Sequence, residues 1–130
     1  MERPNILFIH TDQQRWDTIA ANGNDIIKTP NLDRLTTEGT NFDHCFVQNP
    51  FCMPSRISLM TGQYCSALNI TRMAVTVPED TLTIQKILDR YDYYNALIGK
   101  HHYLSHANRD HSKLHPSYNF DELEFSHELR

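Results

Sequence analysis

Glycine is scarce, with 4 in 130 residues, and the 6 prolines are scattered. That excludes a collagen-like repeat and a low-complexity disordered chain. Long apolar runs are missing. The longest, Ile6 to Ile9, is strand-sized, far short of the roughly 20 residues a membrane-spanning helix needs, so no membrane partner is expected. Positive charge is not in excess: 12 Lys and Arg against 16 Asp and Glu leave a formal charge of −4, which argues against a nucleic-acid partner. The three cysteines, Cys45, Cys52 and Cys65, are odd in number and unevenly spaced, a poor basis for a disulfide framework. Met1-Glu2-Arg3-Pro4 carries no apolar leader segment. The expectation is a reduced, cytoplasmic chain with room for one domain. With 39% apolar and 22% charged residues, it can bury a modest core. Histidine is what the chain has in plenty, with 8.

The run Asn5 to His10 holds four consecutive apolar residues without alternation. That pattern predicts a strand buried on both faces, as in a parallel sheet. Thr29 as N-cap, Pro30 in the first turn and Gly39 as a stop predict a helix between them. Thr40 to Val47 alternates loosely and predicts a second strand, broken at Asn49-Pro50. Cys52 to Thr61, with Pro54 in the first turn and Gly62 behind it, predicts a second helix. Thr81 caps an expected third helix whose Leu82, Ile84, Ile87, Leu88 and Tyr91 form a stripe expected to be core. Tyr93 to Ile98 predicts a third strand, followed by Gly99-Lys100-His101-His102. The order is that of an α/β fold with a mostly parallel sheet and flanking helices.

Three polar clusters follow a strand or open a helix: Asp12-Gln13, Cys52 to Arg56, and Lys100 to His102. Ligands of open α/β sheets bind at the carboxyl ends of strands. Asp12 is a hard oxygen donor suited to Ca²⁺ or Mg²⁺. The amides at the start of a helix point at an anion, and Arg56 can grip an oxyanion through two N–H groups. Taken singly, each piece has a blander reading: Asp12 as a turn residue, Cys52 as a packed thiol, Lys100 and His102 as solvated ends.

Together they carry a pattern. Cys52-Met53-Pro54-Ser55-Arg56, with Leu59 and Thr61-Gly62 behind it, closely resembles the signature of type I sulfatases, members of the alkaline phosphatase superfamily. Arg3 to Ile9 resembles the opening strand of that family, Thr29 to Leu35 its next block, and Gly99-Lys100-His101-His102 its Gly-Lys-Trp-His segment. The resemblance runs from residue 3 to about 105 and continues faintly through Tyr118-Asn119-Phe120-Asp121. It implies that the chain is the N-terminal part of a sulfatase catalytic domain with an incomplete alkaline-phosphatase-like fold. It implies hydrolysis of small-molecule sulfuric esters. Cys52 would be converted to formylglycine by a formylglycine-generating enzyme or maturase that reads Cys52, Pro54 and Arg56. The divalent cation would be Ca²⁺, with Mg²⁺ or Mn²⁺ as alternatives, held by Asp12, Gln13 and the oxygen derived from Cys52. Arg56, Lys100 and His102 would be catalytic, with His102 suited to proton transfer because an imidazole titrates near neutrality.

Two departures qualify the likeness. Gln13 stands where many sulfatases carry a second aspartate, as in the branch with choline-sulfatase-like enzymes and phosphonate or phosphate monoester hydrolases. A hydrolase of the latter kind is the alternative function. His101 stands in place of the family tryptophan and alters either packing or substrate contact. Family members are several times longer, and the resemblance puts their remaining metal ligands beyond residue 130. A catalytically inactive fragment that binds anions or a partner, and self-associates through exposed edges, is the non-enzymatic reading. The pairs His102/His106 and His111/His115 have the spacing of helical zinc ligands, but Asn108, Ser112 and Pro116 disfavour a helix there, and a loop at the site rim is expected instead. Cys45 and Cys65 are expected as packed thiols, and Trp16 as a rim or core aromatic.

Overall fold

A computed structural model describes residues 3–73, 75–104 and 116–125. The chain divides into two compact units, Met1–Phe46 and Val47–Arg130, and each is described by itself.

In the first unit, short 3-10 turns at Trp16–Thr18 and Ala20–Asn22 precede helix α1 (Pro30–Glu38). Pro30 opens α1 because its fixed φ suits the first turn and its missing N–H would have had no partner there. Thr29 occupies the N-cap position as expected, yet its hydroxyl does not cap the helix. It accepts the Ala20 amide at 2.8 Å and donates to the Asp33 carboxylate at 2.8 Å. Asp33 also accepts the Ala21 amide at 2.9 Å. The second 3-10 turn is thereby fastened to the start of α1 by side chains.

The strands expected at residues 5–10 and 40–47 do not form. Leu7 is 85% exposed and its apolar neighbours are exposed too. A strand apolar on both faces needs a partner along its edges and a layer over each face. None of the described residues 3–46 is buried, so this unit offers neither. Cys45, expected as a packed thiol, is exposed, and so is Trp16.

The second unit carries helix α2 (Cys52–Thr61), helix α3 (Ile84–Asp89), and strands β1 (Ala96–Gly99) and β2 (Glu122–Phe125). Asn49 fixes the approach to α2: its side-chain oxygen accepts the Phe51 amide at 2.9 Å and its amide donates to the Thr71 carbonyl at 3.3 Å. Gly62 ends α2 in the left-handed conformation, φ +66°, with its N–H on the Ser58 carbonyl. Ile57, Ile70, Val77, Tyr103 and Tyr118 form the core, flanked by Met60, Leu68, Val75 and Phe120. Cys65 is a packed thiol, its Sγ donating to the Pro54 carbonyl at 3.4 Å.

β1 and β2 pair in parallel, with Ala96 opposite Glu122 and Gly99 opposite Phe125. β1 falls within one residue of the end of the expected strand, while Tyr93 to Asn95 serve as the turn out of α3. β2 was not expected, because Glu122-Leu123-Glu124-Phe125 is only four residues long and half acidic. It is set in register by Asn95, which donates its amide to Asp121 Oδ2 at 2.7 Å and accepts the Asp121 amide at 2.8 Å. The expected core stripe of α3 is a correction. Ile84 is 50% and Ile87 41% exposed, and Leu82 and Tyr91 are also exposed. The buried side of this helix is polar instead, with Thr83 and Gln85 inward. Gln85 donates to the Tyr118 carbonyl at 3.3 Å, and its own carbonyl accepts from the Asn95 side chain at 3.3 Å. Hydrogen bonds rather than apolar contact turn this face inward.

Candidate functional site

Cys52 is the first residue of α2 and is half-buried. Arg56 lies four positions on, hence one turn away on the same helix face. Its guanidinium is 9% exposed. A charge so enclosed must find acceptors, and Arg56 Nη1 donates to the Lys100 carbonyl at 2.9 Å. This bond joins the start of α2 to the carboxyl end of β1, across a sequence separation of 44. No spacing rule reveals that contact.

Beyond β1 the backbone turns twice through left-handed conformations, at Gly99 (φ +113°) and His102 (φ +62°). Gly99 accepts this freely because it has no Cβ. His102 does not, and a non-glycine residue holds such a conformation only where its surroundings fix it. His102 is 5% exposed and Lys100 is half-buried. The solvated strand end weighed from the sequence is therefore an enclosed one.

His101, between them, is 2% exposed. Its ring lies 3.9 Å from that of Tyr103 and meets the edges of Tyr118 and Phe120 at 5.1 and 5.6 Å. Of the two effects expected of a histidine here, packing is the one observed. Burial holds the Tyr103 phenol above its ordinary range, although the Gln85 side chain and the Arg56 charge pull it back. Burial, with the Glu79 carboxylate adding to it, pushes Tyr118 up to about 12.

Of the residues singled out in the sequence, Cys52, Arg56, Lys100 and His102 thus share the second unit and are linked there. Asp12 and Gln13 lie in the first unit, both exposed, with Gln13 at φ +53°. Carboxylate and amide oxygens are the donors a hard cation prefers, but two of them do not fill a Ca²⁺ shell of about 6 to 8 oxygens. Among the described residues no group of three or more His, Cys, Asp or Glu side chains is placed to hold a metal. His106, His111 and His115 lie outside the described residues. The aromatic walls around His101 were missed, though the faint likeness at residues 118 to 121 marked two of them.

A family model described as Sulfatase matches residues 4–128. The N-acetylglucosamine-6-O-sulfatase of Bacteroides thetaiotaomicron is 38% identical over 104 residues, which are 80% of this chain and 19% of that protein. The ulvan-active sulfatase of Formosa agariphila is 33% identical over 129 residues, 97% of this chain and 25% of that protein. Human steryl-sulfatase is 32% identical over 133 residues, covering 91% and 23%. Among solved structures, the crystal structure of Ps i-CgsB superposes with a TM-score of 0.69 at 33% identity, over 83% of this chain and 24% of that one. The chain spans a quarter or less of the length of these relatives. The fold is α/β and incomplete, part of the alkaline-phosphatase-like architecture, with its small parallel sheet and flanking helices.

Proposed function

The chain belongs to the sulfatase family, and from that membership we propose that it carries one part of the machinery of a sulfuric ester hydrolase. One observation supports the reading most: the Arg56 guanidinium bound to the Lys100 carbonyl, which keeps the motif bearing Cys52 against the strand end bearing Lys100 and His102. The relatives named for N-acetylglucosamine-6-sulfate and ulvan suggest a sulfated carbohydrate as the ester.

In this reading Cys52 is the precursor of formylglycine, which as a hydrate supplies two hydroxyl groups, one to attack sulfur and one to help release sulfate. Asp12 and Gln13 would contribute oxygens to a divalent cation, Ca²⁺ foremost, whose chemistry is to lower the pKa of an attacking hydroxyl and offset charge on the transferred group. Arg56 orients the residue at position 52 from one turn away and adds positive charge beside it. Lys100 offers its ammonium to sulfate oxygens. His102 moves a proton to or from the ester oxygen. His102 and the Arg56 side chain are buried, which strengthens their electrostatic effect.

Gln13 favours a second reading. With one formal negative charge fewer than an aspartate pair, the metal end suits a phosphonate or phosphate monoester as an alternative. Matched sulfate and phosphonate esters with one leaving group separate the two. The first test is the mass of the tryptic peptide containing Cys52 from protein made in its own host. Replacing the thiol CH₂SH by the aldehyde CHO lowers that mass by about 18 Da. An unchanged mass under conditions that mature another sulfatase refutes the proposal.

A further inference from the structure

We infer that His101 is a positioning residue, an imidazole used as a flat aromatic wedge that fixes the backbone carrying Lys100 and His102. The inference rests on the function proposed above, in which those two flanking side chains act on the ester. At 2% exposure, His101 is walled in rather than presented to a substrate. Its three neighbours make a socket shaped for a ring. Tyr103 lies 3.9 Å away with planes at 38°. Tyr118 and Phe120 present edges at 5.1 Å and 68°, and at 5.6 Å and 88°, geometries that aromatic pairs favour.

The socket is itself cross-tied. The Tyr118 hydroxyl donates to the Val77 carbonyl at 2.8 Å, and the Val77 amide donates to the Tyr103 carbonyl at 3.0 Å. Tyr103 and Tyr118 also meet edge to face at 5.2 Å. Along the chain, Arg56 grips the Lys100 carbonyl on one side of His101, and on the other His102 sits at φ +62°. That left-handed conformation survives only while its neighbours are held. The wedge holds them. What the socket requires is a planar ring of about this size, and phenylalanine or tryptophan supplies one as well as histidine does.

The test uses the 130-residue chain with ¹⁵N-labelled histidine, in wild type, H101F, H101W and H101A. Imidazole spectra follow His102 through a pH titration, and peptide mapping after an amine-acylating reagent follows Lys100. H101F and H101W are expected to keep the His102 resonances and titration midpoint, with Lys100 reacting at a rate within about twofold of wild type. H101A is expected to move His102 and to change the Lys100 rate by about tenfold, since displacements near 1 Å at a site have effects of that order or larger. Where H101A loses its cooperative melt, H101L takes its place, filling volume without a flat ring, and the same displacement of His102 is expected. The inference is overturned if alanine or leucine leaves His102 and Lys100 as in wild type, or if phenylalanine disturbs them as alanine does. An unconverted Cys52 would count against the proposed function and leave this result standing.

Discussion

Replacing Arg56 by methionine isolates the link between α2 and β1. Methionine keeps most of the stem volume and removes the guanidinium, so the Lys100 carbonyl loses a charged donor at 2.9 Å. Two terms oppose each other. A hydrogen bond to a charged group contributes about 1.5–3 kcal/mol, and an orphaned acceptor adds desolvation loss. Against that, a buried charge has its own desolvation cost, which a methionine no longer meets. Because Arg56 is 9% exposed rather than sealed, water reaches part of the guanidinium, and the relieved cost is the smaller term. The net expectation is a loss of about 2 kcal/mol, or roughly ten degrees in melting temperature for a unit of this size. Urea unfolding followed by circular dichroism measures the loss. Amide exchange measured beside it is expected to rise first at Val77, whose N–H is bound to the Tyr103 carbonyl, since Tyr103 is only three residues from the lost anchor. R56K should fall between the two, keeping charge without the planar fork. A methionine variant as stable as wild type, or more so, refutes the reasoning.

Three further outcomes are expected. Burial raises the folded-state pKa of Tyr118 from 10 to about 12 and raises that of Tyr103 as well. Their stabilisation is therefore complete below about pH 10 and is lost as pH climbs through the folded values, at up to about 1.4 kcal/mol per pH unit for each tyrosine. Tyrosinate absorbance rising together with the loss of near-UV dichroism between pH 10 and 12 checks it, and ionisation of every tyrosine near 10 with the fold intact refutes it. The exposed apolar face of Leu82, Ile84, Ile87 and Ile98 is of a kind that drives association; sedimentation should show concentration-dependent oligomers, and a sharply melting monomer would contradict this. The 130-residue chain, matured at Cys52 and given Ca²⁺, is expected to show little or no turnover of a chromogenic aryl sulfate, because Asp12, Gln13 and one oxygen from position 52 fall short of about 6 donors. Repeated turnover would show that the metal needs no other ligands.

Local signals and distant ones fared differently in this chain, for a physical reason. α1 and α2 were legible because their start and stop chemistry lies inside them: Pro30 and Gly39 for one, Pro54 and Gly62 for the other. A helix satisfies its own backbone, so a dozen residues can specify it. A strand cannot, and Asn5 to His10 remains an exposed apolar run although its pattern is that of a buried parallel strand. β2 is the converse case: a poor strand by composition that exists because Asn95 and Asp121 set it against β1. The α3 stripe went wrong through the same dependence. Periodicity shows that a face is apolar, and only tertiary partners decide whether it is covered. Here Gln85 and Asn95 exchange hydrogen bonds on the opposite side, and that pairing outweighs the stripe. The candidate site follows the rule as well. Its residue types were legible as a motif, but the tie between Arg56 and Lys100 spans 44 positions and the socket of His101 draws on Tyr118 and Phe120. Enclosure of a site depends on such long-range contacts. The sequence therefore named the side chains that could do the chemistry, and the packing around His101 accounts for how two of them are held.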